Sequence, residues 1–198
     1  MKPLIRLAAE DDAEQIRAIY APIVGETATS FELEPPSTEE MCCRIADTLP
    51  QWPWLVCAAG PQILGYAYAS RHRARAAYQW SVDTSVYIHP EARRLGIGRA
   101  LYRSLFAILV RQGYCNAYAG IALPNPGSVG LHEAVGFRPV GVYREVGYKH
   151  GAWHDVGWWH LALQPKPSVP PPPLPLAAVQ ALPHWQSDLA AGETLLRV

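Results

Sequence analysis

The stretch Thr84-Ser85-Val86-Tyr87-Ile88-His89-Pro90-Glu91-Ala92-Arg93-Arg94-Leu95-Gly96-Ile97-Gly98 decides the fold. Thr84 to Ile88 is apolar and β-branched, which reads as a strand, and Pro90 stops it. Beyond the glycines, Leu101, Leu105, Ile108 and Leu109 recur at helical spacing to about Gln112, where Gly113 suits a helix end. Gly96 and Gly98 let the backbone turn tightly and approach a ligand. The first N–H groups of the helix have no intrahelical partner. With the helix dipole and the guanidinium groups of Arg93 and Arg94, they make a local anion site. A Gly-x-Gly pair alone is equally a structural turn. Two rival phosphate motifs fail: a dinucleotide fingerprint needs glycine at position 101, which is Leu101, and the Gly-Lys-Ser/Thr of a P-loop is absent.

Working outward, Leu4 to Leu7 reads as a short strand. Asp11 or Asp12 is expected to cap a helix that carries Ile16, Ile19 and Tyr20 on one face. Ser37 and Glu40 have capping-box spacing, predicting a second helix through Met41 and Ile45 towards Leu49. Trp54 to Ala59 and Ile63 to Ser70 form a hairpin about Gly60-Pro61-Gln62. After the central helix come a strand (Ala117 to Leu123), a short helix (Ser128 to Val135) and two closing strands (Val140 to Val146, Val156 to Leu163). The order β, α, α, β, β, β, α, β, α, β, β predicts an α/β fold: a mixed sheet with helices on both faces.

A chain of 198 residues fits one domain with a sizeable core, and a hydrophobic fraction of 49% with 7 Trp and 10 Tyr supports packing rather than disorder. Lys plus Arg equals Asp plus Glu at 17 each, so no global field draws the chain to nucleic acid or an anionic membrane. No apolar run approaches the roughly 20 residues of a spanning helix. The four cysteines lack the paired spacings of a zinc site, and the N-terminus lacks the apolar core of a signal peptide, so reduced thiols in the cytoplasm are expected. Composition changes after Leu163, where the run Val169-Pro170-Pro171-Pro172-Pro173-Leu174-Pro175 excludes helix and central strand. The domain is therefore assigned to residues 1–163. Residues 164–198 are read as a proline-rich tail, a mobile segment before all, with docking on the domain or on a partner chain as the alternatives.

Arg93-x-x-Gly96-x-Gly98 after a strand resembles the acetyl-CoA signature of the GNAT superfamily of N-acetyltransferases, and the order of elements resembles that fold. Asn125 with His132-Glu133-Ala134-Val135-Gly136-Phe137 resembles its second cofactor segment. More narrowly, Tyr66-Ala67-Tyr68-Ala69, Ser85-Val86-Tyr87-Ile88, Leu131-His132-Glu133-Ala134 and Lys149-His150-Gly151-Ala152-Trp153-His154-Asp155-Val156-Gly157 resemble the phosphinothricin and methionine sulfoximine acetyltransferase branch. The match spans residues 4–163. It implies acetyl-CoA as the acetyl donor. Val86, Tyr87 and Ile88 would lie along its pantetheine arm, with Arg93, Arg94, Gly96, Ile97, Gly98 and Arg99 around its pyrophosphate. Asn125 would sit near the thioester, although Pro124-Asn125-Pro126-Gly127 also reads simply as a turn. A homodimer is implied by the resemblance alone.

An amine is an ammonium ion at neutral pH, so acyl transfer needs a general base, and charge developing on the thioester oxygen needs a donor. Asp83, beside the cofactor strand, is the first candidate base. The branch usually carries glutamate there, and aspartate reaches about 1.5 Å less, so action through a water is expected. His132 stands where many members have a tyrosine that protonates the departing thiolate, and its titration range suits proton removal or donation. Backbone N–H groups near Val86 are the expected oxyanion donors. In the loop Arg71-His72-Arg73-Ala74-Arg75, three arginines can bind a carboxylate bidentately, the alternative being a solvated turn; the resemblance, in which the matching loop contacts the amino-acid acceptor, points to Arg73 and Arg75, with Tyr78 and Ser85 as further acceptor contacts. His150, His154 and Asp155 lack a further ligand at suitable spacing and are read as a hydrogen-bonded corner, with no metal expected. The resulting expectation is direct transfer of acetyl to the α-amine of a small amino-acid-like acceptor. Three readings stand beside it: acetylation of another amine such as a protein N-terminus or a polyamine, CoA binding without catalysis, and partner binding through the proline-rich tail.

Overall fold

The computed structural model describes residues 2–197. Its seven-stranded sheet has the order β1-β2-β3-β4-β5-β7-β6. The strands are β1 (Leu4–Leu7), β2 (Trp54–Ala59), β3 (Gln62–Arg71), β4 (Ser81–Ile88), β5 (Asn116–Leu123), β6 (Arg138–Lys149) and β7 (Ala152–Ala162). The long helices are α1 (Ala13–Glu26), α2 (Thr38–Thr48), α3 (Ile97–Gln112) and α4 (Pro126–Ala134), and the short ones are α5 (Leu176–Gln180) and α6 (Trp185–Leu189). Every neighbouring pair is antiparallel except β4 and β5, which α3 joins as a parallel crossover. The predicted mixed α/β sheet is the one observed.

Two cores form because the sheet is apolar on both faces. On one face, Ile16, Ile19 and Tyr20 of α1 and Met41 and Ile45 of α2 bury against Trp54, Val56 and Tyr66. On the other, Leu101, Leu105, Ile108 and Leu109 of α3 are fully buried against Leu55, Ala67, Val82 and Ala117. Ser37 caps α2 as its spacing predicted, its Oγ accepting from Glu40 N–H at 3.0 Å. Asp12 does not cap α1 through its side chain. Its carboxylate instead accepts from Ala9 N–H at 2.8 Å and pairs with Arg6 at 2.6 Å, which ties β1 to the turn before the helix.

Two departures from the sequence reading alter the architecture. The last two strands are longer than expected, meeting at a two-residue turn in which His150 (φ 51°) and Gly151 (φ 75°) both take left-handed conformations. The second departure concerns the tail. Rather than standing free, residues 164–197 lie against the chain's own α3, with Leu176, Val179 and Trp185 buried in its core. Trp80 Nε1 donates to Pro171 O at 2.7 Å, Gln112 Nε2 to Leu174 O at 2.9 Å, and Arg111 pairs with Asp188 at 2.9 Å. Further on, Gly192 N–H donates to Ser104 Oγ at 3.0 Å in a buried contact, and Glu193 Oε1 accepts from Ile5 N–H at 2.9 Å. Finally, Arg197 N–H reaches Leu95 O at 3.0 Å.

Candidate active site

Parallel pairing between β4 and β5 covers only Ser81↔Asn116, Val82↔Ala117 and Asp83↔Tyr118. Both strands continue, β4 to Ile88 and β5 to Leu123, but they part after that last rung. The edge of β4 facing the gap thus offers backbone groups to an extended ligand, as in strand addition. Thr84, Ser85, Val86, Tyr87, Gly120, Ala122, Asn125 and His132 line the resulting cleft. The Tyr87 side chain turns away to meet Tyr20 edge-on at 5.0 Å, leaving its backbone for the cleft.

At one end of β4 the glycine loop opens α3. Arg94 (φ 69°) and Gly96 (φ 81°) are both left-handed. The first bond of the helix runs from Ala100 N–H to Gly96 O at 2.9 Å, so the N–H groups of Ile97, Gly98 and Arg99 have no partner within it. Arg93, Arg94 and Arg99 are exposed around them. This donor set fits a pyrophosphate. The glycines themselves are used differently from the sequence reading. A Cβ at Gly96 would collide with the carbonyl of Leu195, and one at Gly98 would stand 2.8 Å from the Leu131 side chain. Their open sides are filled by protein, and the approach to a ligand is left to the N–H groups.

Asn125 is both a turn residue and part of the cleft: its Oδ1 accepts from Ser128 N–H at 3.1 Å, capping α4. That cap starts the short helix that carries His132. His132 Nδ1 lies 2.8 Å from Ser128 O, and Nε2 lies 2.7 Å from the Tyr102 hydroxyl. A carbonyl can only accept, so Nδ1 carries the hydrogen, and Nε2 of the neutral ring accepts from Tyr102. Burial pushes the His132 pKa below its ordinary value, outweighing the Ser128 bond that raises it. Both ring nitrogens are therefore engaged in the neutral form.

Asp83 occupies the last rung before the gap, on the opposite face of the sheet from His132. It shares the α1/α2 face with its register partners Ser70 and Tyr118. Its Oδ1 lies 2.7 Å from His72 Nδ1. Burial pushes the Asp83 pKa up, against the lowering effects of the His72 bond and of the charges on His72 and Arg73. His72 stacks on Tyr118 with centroids 4.3 Å apart, and Tyr78 meets it edge-on at 5.9 Å. Arg73 is partly committed: Nη1 donates to His72 O at 2.8 Å, and its guanidinium lies 5.3 Å from the Trp158 ring centre. Arg75 is exposed at the same loop.

On this same face a cavity of about 350 Å³ runs between α1, α2 and the sheet, lined by Tyr20, Arg44, Tyr66, Tyr68 and Ser70 among others. Ser70 is the cross-strand partner of Asp83, so the cavity borders the vertex of the cleft. The final hairpin closes the region from the other side. Lys149 Nζ donates to Val24 O at 2.6 Å and Ser30 O at 2.7 Å, fixing the loop after α1. His154 Nε2 lies 3.0 Å from Lys149 O, and Asp155 pairs with Arg144 at 2.6 Å while accepting from Glu145 N–H at 2.8 Å. His150, His154 and Asp155 thus belong to a strand corner.

Sequence reasoning missed His72 and Tyr102. His72 was hidden among arginines, and its contact with Asp83 depends on cross-strand register. Tyr102 follows Leu101 in the helix, and no spacing signal pairs it with a histidine thirty residues on.

A cleft between parting parallel strands, with an anion-binding loop opening the crossover helix, defines the acyltransferase class. The sequence description "Acetyltransferase (GNAT) domain" matches residues 5–158, and the chain belongs to this GNAT family of N-acetyltransferases. It is 37% identical over 175 residues to the phosphinothricin N-acetyltransferase of Streptomyces viridochromogenes, covering 88% of this chain and 93% of that one. To the L-methionine sulfoximine/L-methionine sulfone acetyltransferase of Pseudomonas aeruginosa it is 32% identical, covering 86% of this chain and all of that one. Among solved structures, a GNAT superfamily phosphinothricin acetyltransferase from Sinorhizobium meliloti, in complex with AcCoA, aligns with a TM-score of 0.78 at 34% identity. That alignment covers 85% of this chain and 96% of that one.

Proposed function

We propose that this chain transfers the acetyl group of acetyl-CoA to the α-amine of a small amino-acid-like acceptor of the phosphinothricin or methionine sulfoximine kind. The parting of β4 and β5 directly after Asp83 supports this reading: an extended donor along β4 would meet an acceptor from the α1/α2 face beside that carboxylate. The relatives named above support the acceptor class. So does the cavity of about 350 Å³, at the lower end of the range for small-ligand sites.

Bound acetyl-CoA supplies the activated thioester carbonyl. Backbone groups of Val86, Tyr87 and Ile88 hold the extended arm. The N–H groups of Ile97, Gly98 and Arg99, with Arg93 and Arg94, hold the pyrophosphate, and Asn125 lies towards the thioester. Asp83 anchors the proton-accepting side. His132, neutral and fixed by Ser128 and Tyr102, lines the donor side, where proton return to the leaving sulfur is required. Arg75, with Arg73, Tyr78 and Ser85 nearby, faces the acceptor carboxylate.

Two further proposals concern the chain's setting. The β6–β7 edge leaves Val140, Val142, Tyr143, Val146, Tyr148 and Trp153 exposed, and we assign this surface to a second copy in a homodimer. Four free thiols accord with a cytoplasmic, reducing setting; no helix among the described residues is long and apolar enough to cross a membrane.

The test is CoA-thiol release with a panel of amino acids and their phosphinic and sulfoximine analogues. Release is expected only when an amine is present, and only with acceptors bearing a free α-carboxylate. Equal release with polyamines or peptides overturns the acceptor assignment.

A further inference from the structure

We propose that His72 is the group that takes the proton from the acceptor's ammonium, and that Asp83 is the residue that orients it. This rests on the acetyl-transfer reading above and assigns its proton. The Asp83 carboxylate, on the last rung before the cleft, is not free: Oδ1 lies 2.7 Å from His72 Nδ1. A carboxylate oxygen accepts, so Nδ1 carries the hydrogen, and the lone pair of the neutral ring is left on Nε2. No described residue hydrogen-bonds to that Nε2. The contrast with His132 is direct: there Ser128 and Tyr102 occupy both nitrogens, leaving no lone pair for an incoming amine.

The His72 ring is held where a base is needed. It stacks on Tyr118 at 4.3 Å and 14°, while Tyr78 and Trp158 meet it edge-on at 5.9 and 6.2 Å. Its side chain is only 11% exposed. Asp83 and Tyr118 are the last rung of the β4–β5 ladder, so the ring lies across the point at which the cleft opens. A fixed imidazole backed by a carboxylate serves proton transfer in unrelated acyl-transfer sites, because the carboxylate selects the tautomer and stabilises the charge that forms.

The step balances. Nε2 takes one proton from the ammonium. The nitrogen lone pair so released forms the C–N bond to the acetyl carbon as the C–S bond breaks. A second proton from the nitrogen accompanies the departing sulfur as thiol, and Nε2 returns its proton to solvent.

The test uses the full chain with His72→Phe, which keeps a ring on Tyr118, and His72→Ala, which leaves room for added imidazole. Both should lower acceptor-dependent turnover by about 100-fold or more while the KM for acetyl-CoA stays within about twofold. Imidazole should restore part of the His72→Ala activity along a saturating curve. Asp83→Asn should also lose activity and gain nothing from imidazole, because the native ring remains but in the wrong tautomer. Full activity in His72→Phe, or a His72→Ala loss untouched by imidazole, overturns the assignment and returns the proton to Asp83. If the unsubstituted protein releases no CoA with any amine, the acetyl-transfer reading itself fails, and this assignment with it.

Discussion

His132 lines the cleft and Asp83 stands on the last rung before it, on the opposite face of the sheet, and burial favours the neutral form of each. For His132 this has a consequence for stability. Its folded pKa lies below the unfolded value of 6.5, so as pH falls through 6.5 the unfolded chain takes up a proton that the folded chain does not. Stability contributed above that value is therefore lost on acidification. The thermal midpoint should fall below pH 6.5, and His132→Gln, which can still meet Ser128 and Tyr102, should flatten that limb when melting is followed from pH 8 to 5. At the acceptor loop, Arg73 is already bonded to His72 O, which leaves Arg75 with the freer guanidinium. Arg75→Ala should raise the acceptor KM about tenfold, the 1.4 kcal/mol of one charge-assisted bond, without changing that for acetyl-CoA; steady-state kinetics with each substrate varied separately will show it. Asp83, His132 and the arginines can be singled out from sequence as candidates because each stands beside a motif. His72 cannot, because the third strand reads as ending at Ser70. Only the β3–β4 register, with Ser70 opposite Asp83, brings the next residue on that face back onto the carboxylate.

Among the elements, α3 has the widest reach, since one end presents unpaired N–H groups beside three arginines and the body fills the core. Gly96→Ala forces a side chain into a left-handed backbone and against the Leu195 carbonyl. A loss of about 1–3 kcal/mol is expected, measured by denaturant unfolding, together with a higher KM for acetyl-CoA. Strong period-3.6 and period-2 patterns made the order of elements and the mixed sheet readable in advance. The pattern failed in the last hairpin. β6 is an edge strand exposed along nearly its whole length, so no apolar alternation marks it. A register shift between Tyr143 and Gly147, with Glu145 left-handed, breaks the period again. Lys149 to Asp155 therefore looked like a loop, although only His150 and Gly151 turn.

At the scale of the whole molecule, the extension beyond residue 163 completes the α3 face. The prolines form a connection with neither helix nor strand, as their chemistry dictates. The helices after them are five residues each, too short for periodicity to reveal the face that Leu176, Val179 and Trp185 bury. Trp185→Ala should lower unfolding stability by about 3 kcal/mol, measured by chemical denaturation. The extension ends its path on the glycine loop, where the Arg197 amide is held by the Leu95 carbonyl and Gly192 packs on Ala100 with no room for a side chain. Local opening of this strap is therefore expected to loosen the glycine loop with it. A donor that binds only the closed loop must slow amide-proton exchange along residues 192–197, so that the strap reports cofactor occupancy from outside the cleft.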